Sequence, residues 1–126
     1  MDIGLEIMIT QQHGDIGVLA QRMEELGFES LWLPEHPIIP VNHNTKYSGS
    51  PDGSIPDGML HQVNPFIALA RASGTTRNLK LGTAICLVTE HNPLDLAKQI
   101  STLDLYSGGR FLLGIGTGWF REEAEI

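Results

Sequence analysis

The sequence has one cysteine, few basic residues and no long apolar run. Because Cys86 has no second cysteine to pair with, an internal disulfide is excluded, which is typical of proteins of the reducing cytoplasm. The 8 Lys and Arg residues are scattered along a chain of net charge −7, so we expect no nucleic-acid partner. No apolar stretch approaches the ~20 residues of a membrane span, and the N-terminus lacks the pattern of a signal peptide. We therefore expect a cytoplasmic protein that binds small molecules or other protein chains.

What the sequence does have is an alternation of strand and helix patterns over one domain, residues 1–126. Strand patterns cover residues 3–9, 28–33, 80–87 and 110–115, and helix patterns cover residues 15–26, 64–74 and 92–108, with a further helix turn at residues 122–124. Such alternation predicts parallel strands joined by right-handed crossovers. The pattern alone fits both an open doubly wound sheet and a barrel.

Three of the helices have clear start signals. Asp15 is a good N-cap, and Asn64-Pro65 and Asn92-Pro93 each combine an N-cap with a proline at the first helical position. For the helix that follows Asn64, the helical spacing predicts that one face is buried, made up of Phe66, Leu69, Ala70 and Ser73. Residues 34–63 have no regular period. A loop longer than about 15 residues is usually functional or disordered, so we expect this segment to cover a site and set its specificity.

The first candidate site is Glu35-His36, directly after the second predicted strand. In parallel α/β folds the carboxyl ends of the strands hold the catalytic groups. His36 can exchange protons near neutral pH, and Glu35 could orient it or bind a substrate. The alternative is a solvated pair in a loop.

The second candidate is the glycine-rich turn at residues 114–118, after the fourth strand. Its glycines allow a ligand to approach the backbone, and Thr117 and the following amides could hydrogen-bond phosphate or ring oxygens. A dinucleotide fingerprint fits poorly, because Trp119 stands where the third glycine is required. The alternative is a tight strand-to-helix turn.

We predict no metal site from the sequence. Cys86 lies in a strand typical of a buried core, where a small apolar side chain is expected rather than a nucleophile. The four other histidines stand singly, with none of the spacings of metal ligands: His13, His43, His61 and His91.

Taken together, three stretches resemble the luciferase-like monooxygenase superfamily. They occur in the family's order over nearly the whole chain: residues 27–36 (GFESLWLPEH), residues 81–87 (LGTAICL) with the later Asn92-Pro93, and residues 107–119 (SGGRFLLGIGTGW). The Pro-Glu-His motif, the long Gly/Pro-rich loop and the following Asn-Pro-Phe look most like the branch that uses the deazaflavin coenzyme F420.

The resemblance implies an α/β fold, a (β/α)₈ TIM barrel of which this chain supplies the first four β/α units, with the coenzyme at the carboxyl ends of the strands. It implies a non-proline cis peptide at Ala84-Ile85 or Ile85-Cys86, behind the coenzyme ring. By similarity His36 and its acidic neighbour Glu35 are catalytic, His36 handling the substrate proton. The coenzyme-lining residues are Ala84, Ile85, Cys86, Thr117 and Gly118.

The implied activity is hydride transfer between F420 and a small organic substrate. The alternatives are an FMN-dependent, oxygen-using monooxygenase and a non-catalytic flavin-binding or barrel-pairing module. Closing eight strands takes about 250 residues, whereas four strands leave open edges. We therefore expect the chain to be a piece of a longer protein, to form a homo-oligomer, or to pair with a separate C-terminal half-barrel.

Overall fold

The computed structural model describes all residues 1–126 and contains four strands and five α-helices. The strands are β1 Gly4–Glu6, β2 Ser30–Leu33, β3 Lys80–Leu87 and β4 Phe111–Gly116. The helices are α1 Ile16–Glu25, α2 Asp57–Leu60, α3 Pro65–Ser73, α4 Pro93–Ser107 and α5 Arg121–Ala124. None of these helices combines the length and apolarity that crossing a membrane requires.

The strand order distinguishes a barrel from a doubly wound sheet. All neighbouring strands are parallel, and the order is β1-β2-β3-β4, so each strand lies beside its successor in the chain. A doubly wound sheet reverses its strand order at a switch point, whereas a β/α barrel adds its strands in sequence. The chain therefore forms four consecutive β/α units with barrel order.

The predicted helix starts are confirmed by their caps. The Asp15 carboxylate accepts a hydrogen bond from the Gly17 amide at 2.8 Å, and the Asn64 side chain accepts one from the Ile67 amide at 3.1 Å. Asn92 caps α4 in the same way. These caps satisfy amides at the helix N-termini that have no partner within the helix.

The structure corrects three details. β1 is only three residues long and pairs with β2 alone. The strand predicted from the apolar alternation at residues 3–9 is therefore longer than the observed strand. The segment 34–63 contains the short helix α2, which has no apolar period long enough to detect. On α3 Ala70 is exposed and Ala68 is buried instead, because the buried face follows a 65–66, 68–69, 72–73 spacing.

Helices α1, α3 and α4 cover one face of the sheet and build the core. Leu31, Leu81 and Leu69 are fully buried there, and the rings of Phe66 and Phe111 lie with their centroids 5.9 Å apart. The helices thus pack against the middle of the strands, and the polar groups lie at the carboxyl ends of the strands.

The opposite face of the sheet is shaped by Trp32. Its indole nitrogen donates a hydrogen bond to the Ser30 hydroxyl at 2.8 Å. A Cβ added to Gly82 would lie 2.3 Å from the Trp32 ring, and one added to Gly4 would lie 2.4 Å from the Ser30 oxygen. The indole thus occupies space that only glycine leaves free on the neighbouring strands.

We expect Gly82→Ala to destabilise the fold by about 1–3 kcal/mol, because its methyl group overpacks against Trp32. Urea unfolding measures this. Gly74→Ala is the matched control: its Cβ has no neighbour closer than 3.7 Å and its φ of −73° suits any residue. If the two variants unfold at the same urea concentration, Gly82 is not packed against the Trp32 ring.

Candidate active site

The carboxyl ends of β2, β3 and β4 meet at one edge of the sheet. Glu35, just beyond β2, accepts a hydrogen bond from the Leu87 amide at the end of β3 at 2.8 Å. Leu87 pairs with Gly116 at the end of β4, and its side chain borders Gly118. The residues predicted from the three strand ends therefore lie in one connected region.

His36 is held by a carboxylate that the sequence did not identify, that of Glu123. The His36 Nδ1 lies 2.7 Å from Glu123 Oε2, and the two side chains are 7% and 1% exposed. Since a carboxylate can only accept, Nδ1 carries the proton and Nε2 is the nitrogen left for another partner. The His36 and Trp119 rings also pack in a T-shaped arrangement, with centroids 5.7 Å apart and an interplanar angle of 79°.

Glu35 does not take the orienting role suggested for it. Besides the Leu87 amide, its Oε2 contacts His91 Nε2 at 3.0 Å, and the structure contains no hydrogen bond between Glu35 and His36. The two adjacent side chains leave the backbone in different directions. The orienting carboxylate comes instead from α5, 87 residues along the chain.

The predicted irregularity in the third strand is present. The peptide bond Ala84-Ile85 is cis, and the pairing of β3 with β4 shifts register between Thr83 and Cys86. Ile85 is 37% exposed, whereas the Cys86 side chain is fully buried on the other side. Any contact of Cys86 with a ligand on the Ile85 side has to use its backbone.

Burial also makes the Cys86 thiol a poor nucleophile. Desolvation is the largest influence, and the nearby Glu35 carboxylate adds to it, so that together they raise the pKa of Cys86 to about 12. The thiol is protonated at neutral pH, as expected for a core cysteine.

The turn after β4 provides an open, glycine-lined shelf next to Ile85. A Cβ on Gly116 would lie 2.0 Å from Ile85 Cδ1, so the isoleucine side chain lies across this glycine. Gly118 has a φ of +79°, a conformation that favours glycine, and Thr117 is exposed. The apolar Ile85 side chain beside glycine backbone forms a surface on which a flat ring can lie. The backbone amides of this turn can donate hydrogen bonds to ring oxygens or phosphate.

The segment 34–63 is anchored on the residues that follow β4. The Glu122 carboxylate accepts hydrogen bonds from the Asn44 and Thr45 amides at 2.7 and 3.1 Å. Tyr47 packs against Trp119, with ring centroids 5.4 Å apart. These contacts place the middle of the segment beside the candidate site, and its predicted covering function remains a prediction.

The Glu122 anchor should be sensitive to acid. Hydrogen bonding, first to Thr45 and then to the Asn44 amide, lowers the pKa of Glu122 from 4.5 to about 2. A depressed pKa contributes stability above the unfolded value and loses it as the carboxylate protonates. We expect the near-ultraviolet circular dichroism of the packed Trp119 and Tyr47 to decline between pH 4.5 and about 2.

The matched variant for this experiment is Glu122→Gln, which keeps the shape of the side chain and removes its charge. It should show a weaker aromatic signal at pH 7 and no step in that acid range. A variant with the same profile as the parent protein would show that Glu122 does not hold the segment.

Comparison with known proteins agrees with the fold and with the motifs. The sequence profile of the luciferase-like monooxygenases matches residues 4–126. An uncharacterized protein of Mycobacterium tuberculosis is 38% identical over 125 residues, which cover 98% of this chain and 44% of that protein. The chain thus spans less than half the length of this relative.

Two solved structures have the same fold. The coenzyme F420 dependent tetrahydromethanopterin reductase from Methanopyrus kandleri has a TM-score of 0.67 and 26% identity, covering 94% of this chain and 27% of that one. The oxygenating constituent of 3,6-diketocamphane monooxygenase from Pseudomonas putida, in complex with FMN, has a TM-score of 0.70 and 23% identity, covering 99% and 32%. The four units are those of a luciferase-like (β/α)₈ barrel, and the chain belongs to the luciferase-like monooxygenase family.

Proposed function

We propose that the protein containing this chain is an oxidoreductase that transfers a hydride between coenzyme F420 and a small organic substrate. The observation that carries the proposal is the His36–Glu123 pair, whose side-chain atoms meet at 2.7 Å and whose imidazole packs against Trp119, the residue that follows Gly118 of the shelf. When bound, the deazaflavin supplies a carbon that gives or accepts a hydride and reacts slowly with oxygen.

The shelf is the proposed coenzyme site of this chain. Ala84 and Ile85 support one face of the ring from the irregular part of β3. Thr117 and Gly118 provide the exposed hydroxyl and amides along its edge. Cys86 takes part through its backbone only, because its side chain is buried.

His36 is the proposed proton carrier. With Nδ1–H donating to Glu123, Nε2 is free to take a proton from a substrate hydroxyl or return it. The buried carboxylate of Glu123 fixes the ring and stabilises the imidazolium that forms, as the acidic member does in other catalytic pairs. Glu35, whose Oε2 contacts the Leu87 amide and His91, positions the strand ends instead of exchanging protons.

The assignment of F420 is supported by the Pro-Glu-His motif and by the likeness to the Methanopyrus kandleri reductase. FMN is the second candidate, because the family is that of luciferase-like monooxygenases and the Pseudomonas putida relative holds FMN. The FMN reading predicts oxygen consumption with the reduced coenzyme, whereas the F420 reading predicts none.

Titration of the purified protein with each coenzyme tests the choice. We expect saturable quenching of the fluorescence of F420, and weaker or no binding of FMN. Tight FMN binding without any response to F420 would overturn the F420 assignment and leave the monooxygenase reading.

We also propose that four further strands close the barrel, supplied by a continuation of the polypeptide or by a second chain. β1 and β4 each pair with one neighbour only, and Leu113 and Ile115 on β4 are 41% and 60% exposed. Sedimentation equilibrium of residues 1–126 should show self-association. A stable, well-folded monomer would contradict this proposal.

A further inference from the structure

Glu35, Cys86 and His91 form a buried cluster outside the proposed coenzyme shelf. Their carboxylate oxygen, thiol sulfur and imidazole nitrogen lie within 4.8 Å of one another. The side chains of Glu35 and His91 are 2% and 16% exposed, and Cys86 is fully buried. Each offers an atom type that binds transition metals.

No lysine or arginine neutralises the buried Glu35 carboxylate, whose hydrogen-bond partners are the Leu87 amide and His91 Nε2. None of the hydrogen bonds or salt bridges in the structure joins a lysine or arginine to its three members. Buried carboxylates normally have a cationic partner or a metal.

A small polar cavity adjoins the cluster. It has a volume of about 120 Å³ and is lined by Glu35, His36, Pro37, Gln62, Asn64, Pro65 and His91. The Gln62 Oε1 atom is buried without a hydrogen-bond partner, while its Nε2 donates to the Pro34 carbonyl at 2.7 Å. Since that bond fixes the orientation of the amide, Gln62, which lines the cavity, keeps a buried acceptor oxygen without a donor or a cation.

We propose that Glu35, Cys86 and His91 bind one divalent transition-metal ion of the Zn²⁺ class, with an open coordination position towards this cavity. Thiolate and imidazole select Zn²⁺ and similar ions over Mg²⁺ or Ca²⁺. Three protein ligands with a fourth position left open are the pattern of reactive zinc sites. Binding releases the Cys86 proton to solvent, and the Leu87 amide, which already donates to Glu35, orients the carboxylate.

This site differs from the sequence prediction of no metal. Its ligands come from the loop after β2, from within β3 and from the loop before α4. The sequence therefore contains no short motif from which this metal site could be predicted. The inference does not depend on which coenzyme the protein uses.

Cobalt titration of chelator-treated protein tests the proposal, with Co²⁺ as a coloured substitute for Zn²⁺. We expect one equivalent to bind with a cobalt–thiolate charge-transfer band in the near ultraviolet and the intense visible bands of a four-coordinate site, all removed by Zn²⁺. A pale spectrum of hydrated cobalt, or a spectrum without the thiolate band, would overturn the assignment.

Two variants locate the ion. Cys86→Val and His91→Gln should each weaken Zn²⁺ binding by at least about 100-fold, since even residues behind the ligands contribute 10–100-fold. His43→Gln, an exposed histidine elsewhere, should bind as the parent does. Unchanged affinity in Cys86→Val would overturn the site. If circular dichroism shows that either variant is unfolded, the cobalt spectrum of the parent protein alone decides whether the metal site exists.

Discussion

Replacing His36 by alanine should lower turnover by about 10²–10⁴-fold, the usual contribution of a general acid or base, while coenzyme binding is retained. The reason is that His36 is proposed to act on the substrate proton, whereas the shelf residues of β3 and β4 are proposed to hold the ring. Steady-state kinetics of the assembled enzyme and coenzyme titration separate the two effects. A non-catalytic binding module would have no turnover to lose.

Glu123→Gln provides the internal comparison for this result. The amide still accepts the His36 hydrogen bond but no longer stabilises the imidazolium, so kcat should fall by less than in His36→Ala, with KM unchanged. His61→Ala, on an exposed histidine of the same segment whose side chain approaches Asp57 at 3.8 Å, is the matched control. Loss of coenzyme binding in His36→Ala, or full turnover in it, would contradict the assigned role.

Replacing Arg110 by alanine should destabilise the fold by about 2–4 kcal/mol, because hydrogen bonds from a charged donor are individually strong and five are lost together. Arg110 Nε donates to the Ser107 carbonyl at 2.7 Å. Its Nη1 and Nη2 atoms donate to Ser73, Thr76 and Leu79 at distances between 2.7 and 3.3 Å. The guanidinium thus joins the carboxyl ends of α3 and α4 to the start of β3.

Arg110→Lys should recover little of this stability, since an ammonium group cannot reproduce the fork of donors. Arg77→Ala, at an exposed arginine whose side chain makes no hydrogen bond in the structure, should change stability by about 0.5 kcal/mol or less. Equal unfolding midpoints for Arg110→Ala and Arg77→Ala in urea would show that the network does not stabilise the fold.

Local structure was largely predictable from the sequence. Asn64-Pro65 and Asn92-Pro93 determine where α3 and α4 begin, because capping and the fixed φ of proline act within one turn. β3 has the predicted bounds, Lys80–Leu87. The alternation of elements predicted parallel strands, but only the spatial order of the strands could separate a barrel from an open sheet.

Side-chain partnerships across the molecule were not predictable. The carboxylate that holds His36 lies 87 residues away, and Glu35 turns instead to His91, 56 residues away. In both cases the partner depends on the direction in which a side chain points just beyond the end of β2. The periodicity of apolar residues in the sequence contains no information about that direction. In the sequence, the acidic pair at residues 122–123 indicates only the start of a helix.

The ends of β2, β3 and β4 are proposed to form one surface for a flat coenzyme. Amide chemical shifts of the isotope-labelled protein, measured during addition of F420, test it most directly. We expect the largest changes at His36, Ile85, Thr117 and Gly118. Changes confined to the groove between α3 and α4, at Ile67 and Tyr106, would contradict it.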